Sequence, residues 1–166
     1  MNVVLCGMMG SGKTTVGKEL AKVLSWPWVD TDELIVNRYG NISDIFQKHG
    51  EGYFRALEGE IVGELSQKNN LVISTGGGLV LNKDNVSLLK DRGVVVYLRA
   101  KKETLFIRLQ GDNNRPLLEG KSLEEKLTKL LNERENVYED VADVAVDVDA
   151  KTPEEIVEEI LVRIEK

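Results

Sequence analysis

Short apolar runs along this chain alternate with longer stretches in which apolar residues return every three or four positions. The runs are Val3 to Cys6, Leu71 to Ser74, Val94 to Leu98 and Val144 to Val148, with a shorter one, Trp28-Val29, before Asp30. Near-continuous apolar runs of this length suit parallel strands buried on both faces. Between them, Val16, Leu20, Val23 and Leu24 form one helical stripe, and Leu57, Ile61 and Leu65 a second. Leu127, Leu130 and Leu131 form a third, and Ile156, Ile160 and Ile164 a fourth. Two helix starts are marked in advance. Ser122-Leu123-Glu124-Glu125 and Thr152-Pro153-Glu154-Glu155 read as capping boxes, the second with Pro at the first helical position. Strands alternating with helices predict one α/β domain over residues 1–166 with a mostly parallel sheet.

Two stretches break the rhythm. The segment from Asp32 to Glu64 reads as helical but is longer than a crossover between strands needs, which marks it as a substrate-side insertion. Gly111 to Lys121 is polar, with Arg115-Pro116 at its centre, and reads as a surface loop acting as a lid.

Composition narrows the class. Over 166 residues, 42% apolar and 30% charged positions exclude collagen-like, disordered and membrane-embedded chains. Lys and Arg total 22 against 28 Asp and Glu, a formal charge of −6. An acidic chain lacks the footprint of a general nucleic-acid or anionic-membrane binder, so an anionic ligand needs a local basic site. The single cysteine, Cys6, rules out an intramolecular disulfide and a four-cysteine metal site. The first residues carry no basic signal-peptide region, and no segment approaches the roughly 20 apolar residues of a membrane span, so a soluble, cytoplasmic protein is expected.

Gly7-Met8-Met9-Gly10-Ser11-Gly12-Lys13-Thr14 satisfies G-x-x-x-x-G-K-[ST] between an apolar strand and an apolar-striped helix. Such glycines let backbone N–H groups turn toward a phosphate, and the helix N-terminus adds partial positive charge. Gly10, Ser11, Gly12, Lys13, Thr14 and Thr15 are therefore the candidate nucleotide cradle, with Lys13 on the β- and γ-phosphates and the Thr14 hydroxyl on Mg²⁺. A Gly-rich turn alone has no packing need for the Lys-Thr pair. The motif does not say what accepts the phosphoryl group.

Asp30-Thr31-Asp32 follows the second strand, at the edge where open α/β sheets bind ligands. One carboxylate there suits hydrated Mg²⁺ and the other an acceptor hydroxyl, but Asp before a helix is also an ordinary N-cap, and the pattern alone does not choose. Thr75-Gly76-Gly77-Gly78 ends the third strand and suits either close approach to a ligand or a mobile turn. Ser74-Thr75 stands where a second nucleotide motif usually puts Asp, which leaves Asp30 as the metal's carboxylate.

With Phe54-Arg55, Arg115-Pro116-Leu117-Leu118 and Glu133-Arg134 with Tyr138, these pieces resemble the shikimate kinase family in order and spacing, from about residue 3 to residue 165. The resemblance implies a P-loop kinase fold of three layers: a five-stranded parallel sheet of order 2-3-1-4-5 flanked by helices, with a substrate-binding insertion and a lid. It implies transfer of the γ-phosphoryl of ATP to the 3-hydroxyl of shikimate, on the route to chorismate and the aromatic amino acids. It implies ATP and shikimate as partners, Mg²⁺ as cofactor and a monomer. Thr14 and Asp30 then correspond to the metal site, and Lys13, Asp32 and Arg115 to the catalytic set, with Asp32 as base. Arg55 and Arg134 correspond to clamps on the substrate carboxylate, beside Gly76, Gly77 and Gly78. Arg108 corresponds to a residue stacking near adenine, and 146–153 to an adenine-side loop in which Lys151 replaces the arginine of other members.

Other kinases of polyol acids, such as gluconate kinase, nucleoside monophosphate kinases and non-catalytic nucleotide-binding modules are the competing readings. Several conspicuous residues have plainer roles. His49 beside Gly50 reads as a helix end, Cys6 and the pair Trp26 and Trp28 as packing, and Glu154, Glu155, Glu158 and Glu159 as a solvated face. Phe46 and Phe54 divide between core and pocket.

Overall fold

The computed structural model describes residues 1–110 and 122–165. The apolar runs become β1 (Asn2–Cys6), β2 (Trp28–Asp30), β3 (Val72–Ser74), β4 (Gly93–Arg99) and β5 (Val144–Asp147), all parallel, in the order β2-β3-β1-β4-β5. The register pairs Val3 with Val72 on one side and with Val94 on the other. Strand parity then builds two cores. Val3, Leu5, Val72, Val96, Leu98 and Val146 face one way, against α1 (Lys13–Leu24) and α8 (Pro153–Ile164). Val4, Cys6, Ile73, Val95 and Tyr97 face the other, against α4 (Glu51–Leu65), α5 (Lys83–Lys90), α6 (Lys102–Leu109) and α7 (Leu123–Val141). Full burial of such a side chain contributes about 1.5–3 kcal/mol. That is why both parities of the central strands are apolar, and why the expected three layers form.

The helices follow their stripes with two corrections. On α1 the buried line is Val16, Gly17, Leu20 and Ala21, and Val23 is 54% exposed. At 3.6 residues per turn the four buried positions centre between Gly17 and Leu20, and Val23 points roughly 90° away from that centre, beyond the edge that Val16 marks. Thr152 and Glu155 form a full capping box, whereas Ser122 accepts from the Glu125 N–H with no reciprocal bond among the described residues. The stretch before β3 holds α2 (Thr31–Tyr39), α3 (Ile42–His49) and α4, so the region from Asp32 to Glu64 is helical as expected. Residues 111–121, with the lid reading and Arg115, lie outside the described residues. No described helix is long and apolar enough to cross a membrane.

A parallel sheet gathers its strand ends on one edge. Cys6, Asp30, Ser74, Arg99 and Asp147 all end there, so the phosphate loop, Asp30-Thr31-Asp32 and Thr75-Gly76-Gly77-Gly78 start from the same edge.

Candidate active site

A cleft of about 720 Å³ runs along that edge, from Arg55 and Arg134 past the phosphate loop to Lys151 and Pro153. In the loop, Gly10 and Gly12 take φ of +83° and +100°, which disfavours any side chain. Gly12 is the N-cap of α1 and has no side chain to cap with, unlike Asp30, Asn41, Asn82, Ser122 and Thr152 at their own helices. The first N–H groups of α1 are thereby left for an external acceptor. Lys13 Nζ folds back over the loop and donates to Gly7 O at 2.5 Å and Met8 O at 3.4 Å. Ser11 Oγ is buried with no hydrogen-bond partner among the described residues, an unmet polar group of the sort a bound phosphate satisfies.

β3 is tied to this loop by side chains that sequence reading left unused. Ser74 Oγ donates to Lys13 O at 2.7 Å and accepts from Trp28 Nε1 at 2.9 Å. Ser74 is thus spent on positioning the loop, and Trp28 is more than packing. The neighbouring Thr75 Oγ1 donates to Leu5 O at 2.9 Å.

Asp30 proves to be an N-cap after all, accepting from Glu33 N at 3.1 Å through Oδ1. It also lines the cleft, as Thr14 does. The middle residue of the triplet is structural: Thr31 is fully buried, and its Oγ1 accepts from Gly76 N at 2.9 Å. Nothing in the sequence distinguished it from its acidic neighbours.

The three glycines after Thr75 have a shared reason. None has positive φ, so the need is space. A Cβ on Gly76 would lie 2.6 Å from Asp32 Oδ1, one on Gly77 2.9 Å from Arg134 Nη1, and one on Gly78 2.5 Å from Arg55 Nη2. Each glycine is the bed of one predicted substrate residue. Tyr138 holds the middle of the turn, its hydroxyl donating to Gly77 O at 2.5 Å, and burial pushes that hydroxyl's pKa up to about 12. Arg134 is only 5% exposed, an arginine that α7 delivers into the interior.

Glu58 escaped sequence reading, although its i+3 spacing from Arg55 on α4 was the available signal. Arg55 Nη1 meets Glu58 Oε1 at 2.6 Å and its Nη2 meets Glu51 Oε1 at 3.1 Å. Glu58 is buried, and its Oε2 has no hydrogen-bond partner among the described residues. Burial raises its carboxyl above the ordinary glutamate range; Arg55 opposes part of the rise and the Asp32 charge adds to it. A raised folded pKa gives stability that is present below the unfolded value, about 4.3, and is lost as pH rises through the folded one. Glu58→Gln is therefore expected to melt above the parent near neutrality, because Arg55 keeps Glu51 and is not stranded. By calorimetry the gain should shrink as pH falls toward about 4. An equal gain at both pH values would show that the Glu58 charge is not what costs stability.

At the far end of the cleft, Arg108 Nη1 donates to Gly10 O at 3.0 Å, and Lys151 Nζ is paired with Glu159 Oε2 at 2.7 Å. Glu159 also approaches Arg163 at 3.7 Å and Glu155 caps α8, so this acidic face does more than meet solvent. Phe54 is core, Phe46 packs on it edge-to-face at 5.1 Å, and both line the cleft. His49 ends α3, exposed and stacked on Tyr53 at 4.4 Å. Cys6 is core, and burial pushes its thiol up to about 12. No cluster of three His, Cys, Asp or Glu residues suited to a metal exists among the described residues.

Comparison with known proteins bears on this cleft. The family model described as shikimate kinase matches residues 9–165. A shikimate kinase of Sulfurihydrogenibium sp. is 46% identical over 166 residues, covering 99% of this chain and 98% of its own. Among solved structures, shikimate kinase from Acinetobacter baumannii in complex with shikimate has a TM-score of 0.94 at 39% identity, covering 99% of this chain and 92% of that one. A gluconokinase from Sinorhizobium meliloti has a TM-score of 0.70 at 22% identity, covering 99% of this chain and 91% of that one, a likeness of fold alone.

Proposed function

We propose a mechanism from one premise: the chain belongs to the shikimate kinase family. It is an ATP-dependent kinase that phosphorylates shikimate, passing the γ-phosphoryl of ATP to the 3-hydroxyl and releasing shikimate 3-phosphate and ADP. The observation that carries the site assignment is the triple glycine, on which Asp32, Arg134 and Arg55 each lie. Two buried or half-buried guanidiniums suit a small polyol acid: Arg134, and Arg55 with its partners Glu58 and Glu51 alongside, take the substrate carboxylate, and Asp32 takes a hydroxyl.

In this mechanism ATP lies with its phosphates on Gly10, Ser11, Gly12, Lys13, Thr14 and Thr15 and its base toward Arg108 and Lys151. The 3-oxygen attacks the γ-phosphorus in line, the bond to the β-bridging oxygen breaks, and the hydroxyl proton passes to Asp32. Lys13 stabilises charge on the transferring group, and Arg115 joins it from the segment proposed as a lid. The residues also fit hydrated Mg²⁺. Thr14 and Asp30 both line the cleft, Asp30 uses one oxygen in its cap, and a sparse oxygen donor set suits an ion that keeps its waters. Mg²⁺ held by Thr14 and Asp30 would supply neutralisation of charge on the nucleotide phosphates. Residues 32–64 form the acceptor side. We take a monomer as the working unit. We place it in the cytoplasm, where ATP is held, with no nucleic-acid or membrane partner.

The test is coupled ADP release with ATP and Mg²⁺. Shikimate should stimulate it at least about tenfold over ATP alone, a difference of about 1.4 kcal/mol, while gluconate and nucleoside monophosphates should not. Stimulation by gluconate in place of shikimate would reassign the acceptor. ADP release that ignores every acceptor would reduce the protein to a nucleotide-binding module.

A further inference from the structure

From the last residue of β5 onward the chain is fastened at every second residue, and each fastening goes to a different element. Asp147 Oδ1 accepts from Arg99 Nε, at the end of β4, at 2.6 Å. Lys151 is held by Glu159 of α8. Between them, Asp149 serves α6. That helix starts at Lys102 behind an N-cap, Lys101, that makes no side-chain cap bond. The missing cap arrives from 48 positions along the chain: Asp149 Oδ1 accepts from Lys101 N at 3.0 Å and from Thr104 Oγ1 at 2.6 Å.

The same helix reaches the phosphate loop. Arg108 leaves α6 four positions after Thr104, on the same face one turn on, and donates to Gly10 O. α6 has only 8 residues. A helix so short does not hold itself in water, and its position depends on what caps and packs it. Leu105 and Leu109 pack its inner side, which leaves the turn and tilt of the outer face to the cap.

We propose that Asp149 is a positioning residue for the nucleotide: by capping α6 from the base-side segment it sets where Arg108 meets the phosphate loop. Asp149 itself touches no phosphate-loop residue in its hydrogen bonds, and its effect passes through the helix. The base side of the cleft and the phosphate loop are thereby one mechanical unit, spanned by two side chains. This rests on the nucleotide orientation proposed above.

A double-mutant cycle tests it, read by ADP affinity in calorimetry and by the KM values for ATP and shikimate. Asp149→Ala and Arg108→Ala should each weaken ADP and raise KM for ATP about fivefold, the size of a lost cap. The KM for shikimate should stay within about twofold, a split that general destabilisation does not produce. If Asp149 acts through Arg108, the double variant is no worse than Arg108→Ala alone. Independent roles would instead multiply to about 25-fold, and that result overturns the proposal. Asp149→Asn keeps an oxygen for both donors and should recover most of the affinity. Should Asp149→Ala fail to fold, Thr104→Val removes one of the two bonds and must show the same direction and the same dependence on Arg108. Unchanged ADP affinity in folded Asp149→Ala also overturns it. The parent's shikimate-dependent ADP release is the control. Its absence would strike the proposed reaction, while the ADP-binding cycle still decides the role of Asp149.

Discussion

Lys13→Met is expected to lower phosphoryl transfer by about 10²- to 10³-fold or more while the fold persists, because removal of one preorganised donor from a transferring group has that cost. Methionine keeps the unbranched stem and loses only the charged head. In the structure that head rests on Gly7 O and Met8 O, carbonyls of a loop whose other contacts, such as Ser11 N to Met8 O at 3.1 Å, do not involve it. The loop's shape is set instead by Gly10, Gly12, and Ser74 beneath Lys13 O. Melting temperature should therefore move by no more than a few degrees, the equivalent of about 1 kcal/mol. Phosphoryl transfer arranges charge more than covalent chemistry, so lost charge appears in kcat more than in KM for shikimate. Near-normal turnover in a folded variant would remove Lys13 from the catalytic set.

What was legible in the chain follows from which forces act locally. Strand runs and helix stripes are local hydrophobic periods, and all five strands appear where the apolar runs lie. The phosphate loop is legible for the same reason, since its glycines and its Lys-Thr pair are adjacent in sequence. Side chains that act across elements were not legible. Thr31 is spent on the Gly76 N–H 45 positions away, and Trp28 on Ser74 46 positions away. Asp149 caps a helix that begins 47 positions earlier, and no composition or spacing in either segment announces it. The triple glycine shows the same limit from the other side. Its sequence suits a ligand contact or a loose turn equally, and the choice depends on what lies above each glycine. At Asp30 the cap of α2 takes one carboxylate oxygen, and the residue also lines the cleft, so the cap reading does not exclude a ligand role.

Arg134→Ala is expected to weaken shikimate by roughly 30-fold to several thousand-fold, since truncating one partner of a buried charged pair costs about 2–5 kcal/mol. ATP should be affected no more than about threefold, because α7 delivers Arg134 to the glycine turn rather than to the phosphate loop. The neighbouring glycine gives the same effect by a second route. A Cβ on Gly77 would lie 2.9 Å from Arg134 Nη1 and 3.6 Å from Tyr138 Oη, so Gly77→Ala must push the guanidinium off its bed. The far end of a side chain yields where backbone would not, so the variant folds. Its shikimate affinity falls in the same direction as for Arg134→Ala, and less far. Gly63→Ala on α4 is the contrast, because nothing lies within 4 Å of its added methyl. Helix propensity should make that variant more stable by about 0.5–1 kcal/mol and leave shikimate binding alone. Calorimetric titration with shikimate, with the melting temperature recorded for each variant, reads all three. If Gly77→Ala binds shikimate as the parent does, the glycine bed is not what sets Arg134, and the pairing of each glycine with one substrate residue fails with it.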